Sequence, residues 1–261
     1  MLSCMLAVLL AQAPVATTPG APPTAAKETT LTGTVALGAA ILSGNSDTTT
    51  LTGGAALTWK TPDWIYGFKA SGAYGRSTDP NTGVESVNAL NASAALRAAR
   101  RLSEVVAIYL EGDVDTDHLK SIEWRPTGEL GASLQLVDRK EGDFQTEALR
   151  IDLGFRGGYE YRFQYYPTPV NLPDQTIAAP KAGATLRYAI TRTAVFGDEV
   201  SALVNIPDGP RLLLNNVAKL STQIFGTLSF AVSYGIAEDS SPPPGKKQLD
   251  TTLTLALEMT L

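Results

Sequence analysis

The chain has 261 residues, 44 % hydrophobic and 18 % charged, with a mean hydropathy of 0.00, a formal net charge of −5 and a pI near 5.0. No run of about 18 to 20 apolar residues is present, which excludes a membrane-spanning helix, and the mild acidity argues against nucleic acid, whose phosphates require a concentrated basic face. Cys4 is the only cysteine, so a chain processed beyond it has no disulfide, zinc–thiolate site or thiol nucleophile.

Residues 1–13, MLSCMLAVLLAQA, have the apolar character of a secretory signal and end in the small-residue pattern Ala11-Gln12-Ala13. The usual basic n-region is missing, and no apolar region precedes Cys4 to make a lipoprotein box. Residues 14–28, rich in Pro, Ala and Thr, are expected to form a flexible linker.

From residue 29 to the end, apolar and polar residues alternate with period two about a dozen times, predicting strands that each have one apolar face. The first (29–43) aligns Leu31, Val35, Leu37 and Ile41 against Thr30, Thr32 and Thr34, and GNSD at 44–47 reads as a tight turn. The second (48–60) aligns Leu51, Ala55, Leu57 and Trp59, and Thr61-Pro62-Asp63 reverses it into the third (64–76), with Trp64, Tyr66, Phe68 and Tyr74 on its apolar face. The fourth (87–99) sets Leu90, Ala92, Ala94 and Leu96 against Asn91, Ser93 and Arg97; the fifth (105–116) sets Val106, Ile108, Leu110 and Val114 against Tyr109, Glu111, Asp113 and Asp115.

The sixth (122–136) alternates Ile122, Trp124, Leu130, Leu134 and Leu136 with Glu123, Arg125, Glu129 and Gln135. The seventh has the clearest pattern, Leu149, Ile151, Leu153, Phe155, Tyr159, Tyr161 and Phe163 against Arg150, Asp152, Arg156, Glu160 and Arg162. Segments near 180–190, 194–205, 211–221 and 226–237 follow, with Asp198 and Leu213 breaking the alternation, and the chain closes on Leu253, Leu255, Leu257, Met259 and Leu261 against Thr252, Thr254, Ala256, Glu258 and Thr260.

So many two-faced strands with no helix to cover them leave lipid as the partner of the apolar faces. Their length of about 10 to 15 residues also exceeds the 5 to 6 usual in soluble sheets. The expected fold is all-β, a transmembrane antiparallel up-and-down β-barrel of about twelve strands over residues 29–261. Links near 61–63, 101–104, 138–143, 191–193 and 222–226 are short, whereas those near 77–86, 166–179, 206–210 and 238–247 are longer and richer in Pro, Asp and Gly. That alternation matches periplasmic turns and outer loops. Trp59, Trp64 and Tyr66 flank the first short turn as an interfacial girdle requires.

Ser43-Gly44-Asn45-Ser46-Asp47-Thr48-Thr49 near the first hairpin and Asp239-Ser240-Ser241-Pro242-Pro243-Pro244-Gly245-Lys246, followed by Asp250-Thr251 before the last strand, carry a resemblance to the YdiY-like salt-induced outer-membrane proteins. The likeness spans nearly the whole of 29–261. It implies a barrel in the outer membrane of a Gram-negative bacterium, with outer-membrane lipids, lipopolysaccharide and the barrel assembly machinery as partners, and it brings no catalytic residues. Leu261 departs from the aromatic residue with which such barrels usually end.

His118 is the only histidine and follows Asp113 and Asp115, an arrangement superficially like that of outer-membrane proteases, but Asp115 and His118 differ in parity. Ser121 is the only serine close to it for a phospholipase-like pair. The inward charges carry more information. Arg97, Arg125, Arg150, Arg156, Arg162, Lys181 and Arg187, with Lys69 and Lys219, are expected to meet Glu111, Asp113, Glu123, Glu129, Asp152 and Glu160, with Asp115, Glu199 and Glu258, inside the barrel. The signs nearly cancel. The expected function is a narrow channel for small polar or anionic solutes; the alternatives are a non-conducting structural or envelope-stress barrel and, with less support, an outer-membrane hydrolase. Neither a cofactor nor a metal is expected.

Overall fold

A computed structural model describes residues 29–42, 47–78, 83–141, 144–166 and 168–261. The expected signal segment, the linker and residues 43–46 of the first hairpin turn lie outside the described residues. The strands are β1 (Thr30–Leu42), β2 (Asp47–Lys60), β3 (Trp64–Thr78), β4 (Glu85–Arg101), β5 (Val106–Asp117), β6 (Ile122–Glu141), β7 (Phe144–Gln164), β8 (Val170–Asn171), β9 (Gln175–Ala189), β10 (Ala194–Asn205), β11 (Arg211–Phe225), β12 (Leu228–Asp239) and β13 (Leu249–Thr260). Each pairs antiparallel with its neighbours in sequence, except that the two-residue β8 only caps the end of β7, which goes on to pair with β9.

Pairing of β1 with β13, Val35 opposite Met259 and Leu37 opposite Leu257, closes the sheet into a twelve-stranded barrel. Closure satisfies backbone groups that an open edge in hydrocarbon would leave without partners, at several kcal/mol each. Strand parity then fixes the faces. Leu37, Leu96, Leu130 and Leu253 are each 65 % exposed or more, on the outside, while Thr50, Glu129, Glu160 and Thr252 are buried inside. An apolar exterior of this extent is incompatible with water and suited to lipid.

Both ends of the described chain lie at the end that carries the links 61–63, 102–105, 190–193 and 226–227. Gly226, at φ +53°, permits the tight β11–β12 reversal. At this short-turn end Trp59 and Trp64 stack on Tyr66, at 5.2 and 5.9 Å, and the Arg100 guanidinium lies 5.9 Å over Trp64. At the opposite, long-loop end Trp124 stacks on Tyr161 at 4.4 Å, with Tyr159 edge-on beside it. These two aromatic levels bracket the apolar band.

Three features differ from a simple alternation. Ser121 adopts φ +64°, and a register irregularity between Ile122 and Trp124 inserts a residue there. Ile122 consequently turns inward and is buried, and Glu123 is exposed at the rim. A second irregularity at Gln135/Val137 shifts the parity of the last part of β6, so that Leu136 stays outside while Asp138 reaches Gln145. In β10 and β11 the register is continuous, so the alternation holds and the sequence departs from it: Asp198 is on the outer face, and Leu213 is inside, packed against Ile177, Ala179 and Leu203.

Candidate functional site in the lumen

The inward faces of β4 to β9 hold most of the charge. Near the long-loop end, the Glu160 carboxylate has no exposed side-chain surface and accepts from three arginines: Arg125 Nη1 at 3.0 Å, Arg162 Nε at 2.6 Å and Arg211 Nη1 at 3.2 Å. Arg125 grips Asp115 with two donors at 3.0 and 2.9 Å. Arg211 grips Asp239 in the same way, at 2.8 and 2.5 Å, and also donates to Gln175 Oε1 at 2.7 Å. Paired forks of this kind fix guanidinium planes against the wall.

A second cluster lies deeper. Glu129 accepts from the Tyr109 hydroxyl at 2.5 Å, Arg156 Nε at 3.0 Å and Lys181 Nζ at 2.7 Å. Arg156 continues to Asp113 at 3.0 Å and Glu111 at 3.5 Å. Arg97 bonds Glu111 at 3.2 Å, Asp152 at 3.1 Å and Ser133 at 2.7 Å, and its guanidinium lies 3.6 Å from the centre of the Tyr109 ring. Arg150 completes the cluster on Asp152 at 3.2 Å. Four cations and four carboxylates thus neutralise one another along this wall.

The Tyr109 ring fits there because its cross-strand neighbours are glycines. A Cβ on Gly131 would come within 2.7 Å of the ring and collide with the Leu153 carbonyl, and one on Gly154 would come within 2.7 Å of the tyrosine hydroxyl.

Two pairs cross the lumen instead of following the wall. Lys69 of β3 reaches Glu199 of β10 at 3.7 Å, and Lys120 in the β5–β6 turn reaches Asp250 of β13 at 3.8 Å. Lys219 and Glu258 are joined on the β11–β13 side. A cavity of about 460 Å³ runs past Lys69 and Glu199, from Ser103, Glu104 and Val105 at the short-turn end to Asp117 and Lys120 at the long-loop end. Arg97, Arg125, Arg150, Arg156 and Lys181 line one side, while Ser71, Ser93, Ser201 and several alanines line much of the rest.

The structure thus places Arg125, Glu160 and Arg162 in the first lumen cluster and Arg97, Glu111, Asp113, Glu129, Arg150, Asp152, Arg156 and Lys181 in the second. Arg187 takes its inward position opposite Gly197, but no carboxylate partner is described for it. Glu123, expected in the lumen, is exposed at the rim, within the register irregularity at the start of β6, and joins neither cluster. Arg211 and Asp239 belong to the first cluster, although the sequence alone did not place them in the lumen. The signal was Arg211 at an inward position two residues before Leu213, obscured by the apolar residue that shares its face.

His118 stacks on Tyr165 at 3.9 Å, outside the carboxylate network. Asp113 and Asp115 are engaged by Arg156 and Arg125, and the Ser121 side chain is fully buried in its turn. No Asp–His or Ser–His side-chain hydrogen bond is formed among the described residues. Nor does any group of three or more metal-ligating side chains occur among them in an arrangement that could hold an ion.

A closed antiparallel wall, apolar outside and ion-paired inside, defines a transmembrane β-barrel. The chain belongs to the family described as "Protein of unknown function, DUF481", which matches residues 35–260, as the motifs near both chain ends led us to expect. No curated protein matches it. Among solved structures it is similar to the NanC porin, at 10 % identity over 88 % of this chain and 97 % of that one, with a TM-score of 0.46. The translocator domain of the autotransporter NalP from Neisseria meningitidis is 15 % identical over 91 % of this chain and 89 % of its own, with a TM-score of 0.38. A porin refined at 1.8 Å is 11 % identical over 90 % and 100 %, with a TM-score of 0.37.

Proposed function

We propose that the protein is a narrow outer-membrane channel for small polar or anionic solutes, with its short turns in the periplasm and its longer loops outside. The observation that carries this reading is the cavity that extends between turns at opposite ends of the barrel, past the arginine-bearing wall of β4 to β9. A barrel that served only as a scaffold would gain from filling this space with side chains; here the wall opposite the arginines includes the small residues Gly67, Ser71, Ser201, Gly235 and Ala237 beside Lys69, Glu199 and Asn215. Guanidiniums held in place by carboxylates keep part of their donor capacity for a passing carboxylate or phosphate and do not bind it tightly, which suits passage.

The Lys69–Glu199 bridge spans the path across the lumen. Its side chains remain 42 % and 29 % exposed, so it separates at modest cost. The competing reading is a non-conducting structural barrel, favoured by the near-complete pairing of lumen charges. Planar-bilayer recording distinguishes them: a channel gives discrete conductance steps with a reversal potential displaced towards anions in a salt gradient, and a structural barrel is silent. Catalysis has less support, since His118 stands apart from the acids; hydrolysis of lipid or peptide that vanished in His118→Ala would establish it instead.

A further inference from the structure

Among the described residues, the lipid-facing wall between the aromatic levels is interrupted on β10 and β11. Outward positions of β1, β5, β12 and β13 in this band carry Leu, Val, Ile, Met, Phe, Tyr, Ala, Gly or Thr, whereas β10 and β11 place Asp198 and Asn216 there. The continuous β10–β11 register leaves no doubt about their side: Val200 and Val204 on the parity of Asp198 and Leu220 on the parity of Asn216 are all exposed outside, while Leu203 and Lys219 on the opposite parity are buried. Asp198 lies two residues beyond Phe196, which pairs with Tyr188 at the short-turn aromatic level, so both polar groups are within the apolar band. Asn216 Nδ2 donates to Asp198 Oδ1 at 2.7 Å and, weakly, to the Glu199 carbonyl at 3.4 Å. Asp198 Oδ2 and Asn216 Oδ1 have no hydrogen-bond partner described. Facing hydrocarbon, both are costly.

From this geometry we infer that the β10–β11 face is an interface with a second copy of this chain. The occupant follows from symmetry. Two barrels in one membrane are related by a two-fold axis along the membrane normal. An axis passing between β10 and β11 brings β10 of each copy against β11 of the other, and therefore Asp198 of each against Asn216 of the other, at one depth. Asn216 carries two amide hydrogens and Asp198 two acceptor oxygens, so the pair is self-complementary: the amide donates to its own Asp198 and to that of the second copy, closing a ring of hydrogen bonds away from lipid. Around the pair, Ala184, Ala202 and Ala218 keep the wall low and allow the two sheets to approach.

The test uses the full chain with Cys4→Ser, so that introduced thiols are the only ones. Val200→Cys, beside the polar pair, is compared with Leu96→Cys on β4 across the barrel, each treated with a short bis-maleimide in detergent and in lipid nanodiscs, and the mass of the unmodified protein is read by light scattering. The expected result is a two-chain particle, crosslinking at Val200→Cys and none at Leu96→Cys. The double variant Asp198→Leu/Asn216→Leu should then become a single-chain particle that keeps its heat-modifiable gel migration, showing that the barrel still folds. A single-chain wild type, equal crosslinking at both sites, or a double variant that stays paired would overturn the inference. So would lipopolysaccharide co-purifying with single-chain wild type and lost in Asp198→Leu, which would assign the face to lipid.

Discussion

Lys69 and Glu199 meet across the full width of the barrel, with Nζ and Oε2 3.7 Å apart. Their strands, β3 and β10, are six strands apart in either direction around the closed sheet, the largest separation a twelve-stranded barrel has. Lys120 and Asp250 also cross the lumen, at 3.8 Å, whereas the shorter ion pairs of Glu160 and Glu129 join strands at most a few places apart and so stiffen the wall.

Because both partners are partly hydrated, the bridge should contribute little to stability. A double-mutant cycle with Lys69→Ala and Glu199→Ala, followed by urea unfolding in detergent, is expected to give a coupling of about 0.2 to 1 kcal/mol that shrinks in high salt. A much larger, salt-insensitive coupling would make the pair a structural tie.

Glu160 is the opposite case. Its carboxylate is fully buried among Arg125, Arg162 and Arg211, and removing it leaves three cations without their shared partner. Glu160→Ala should lower stability by roughly 3 to 5 kcal/mol. Glu123→Ala, at the exposed rim, should stay within about 0.5 kcal/mol. The unfolding midpoints of the two variants check both values.

The Tyr109 slot gives a steric prediction. Gly131→Ala must displace either the Tyr109 ring or the Leu153 backbone, whereas at Gly112, on the outer face of β5, nothing lies within 4 Å of an added Cβ. Gly131→Ala is expected to cost about 1 to 3 kcal/mol, and Gly112→Ala to be neutral or slightly stabilising. Equal effects in thermal unfolding would contradict the placement of Tyr109.

The assignment of faces is tested by charge. Leu255→Arg, on the outer face of β13, should cost roughly 2 to 4 kcal/mol at the depth where it meets hydrocarbon. Asn215→Arg, inward and lining the cavity, should be much milder. If the inward change impaired refolding into lipid more than the outward one, inside and outside would be exchanged.

Much of this was legible in the sequence because a barrel in lipid makes every strand report its two faces. The alternation of Leu253 to Met259 and of Arg150 to Arg162 gave both the fold and the cations of the lumen. What was not legible has physical causes. The register irregularity at Ile122/Trp124, beside the positive-φ Ser121, leaves no mark in the composition of the strand. Asp198 and Leu213 break the alternation although the register is regular, so the residues themselves are exceptional. Transluminal partners such as Lys69 and Glu199 depend on strand number and closure, which no local pattern encodes.

The central claim is conduction, and single-channel recording of the purified barrel in planar bilayers, wild type beside Lys69→Ala, tests it most directly. The expected result is a small, discrete, anion-preferring conductance that increases in Lys69→Ala as the bridge to Glu199 is lost. Silence from both proteins across the voltage range, with both shown to be folded by heat-modifiable migration, would contradict it.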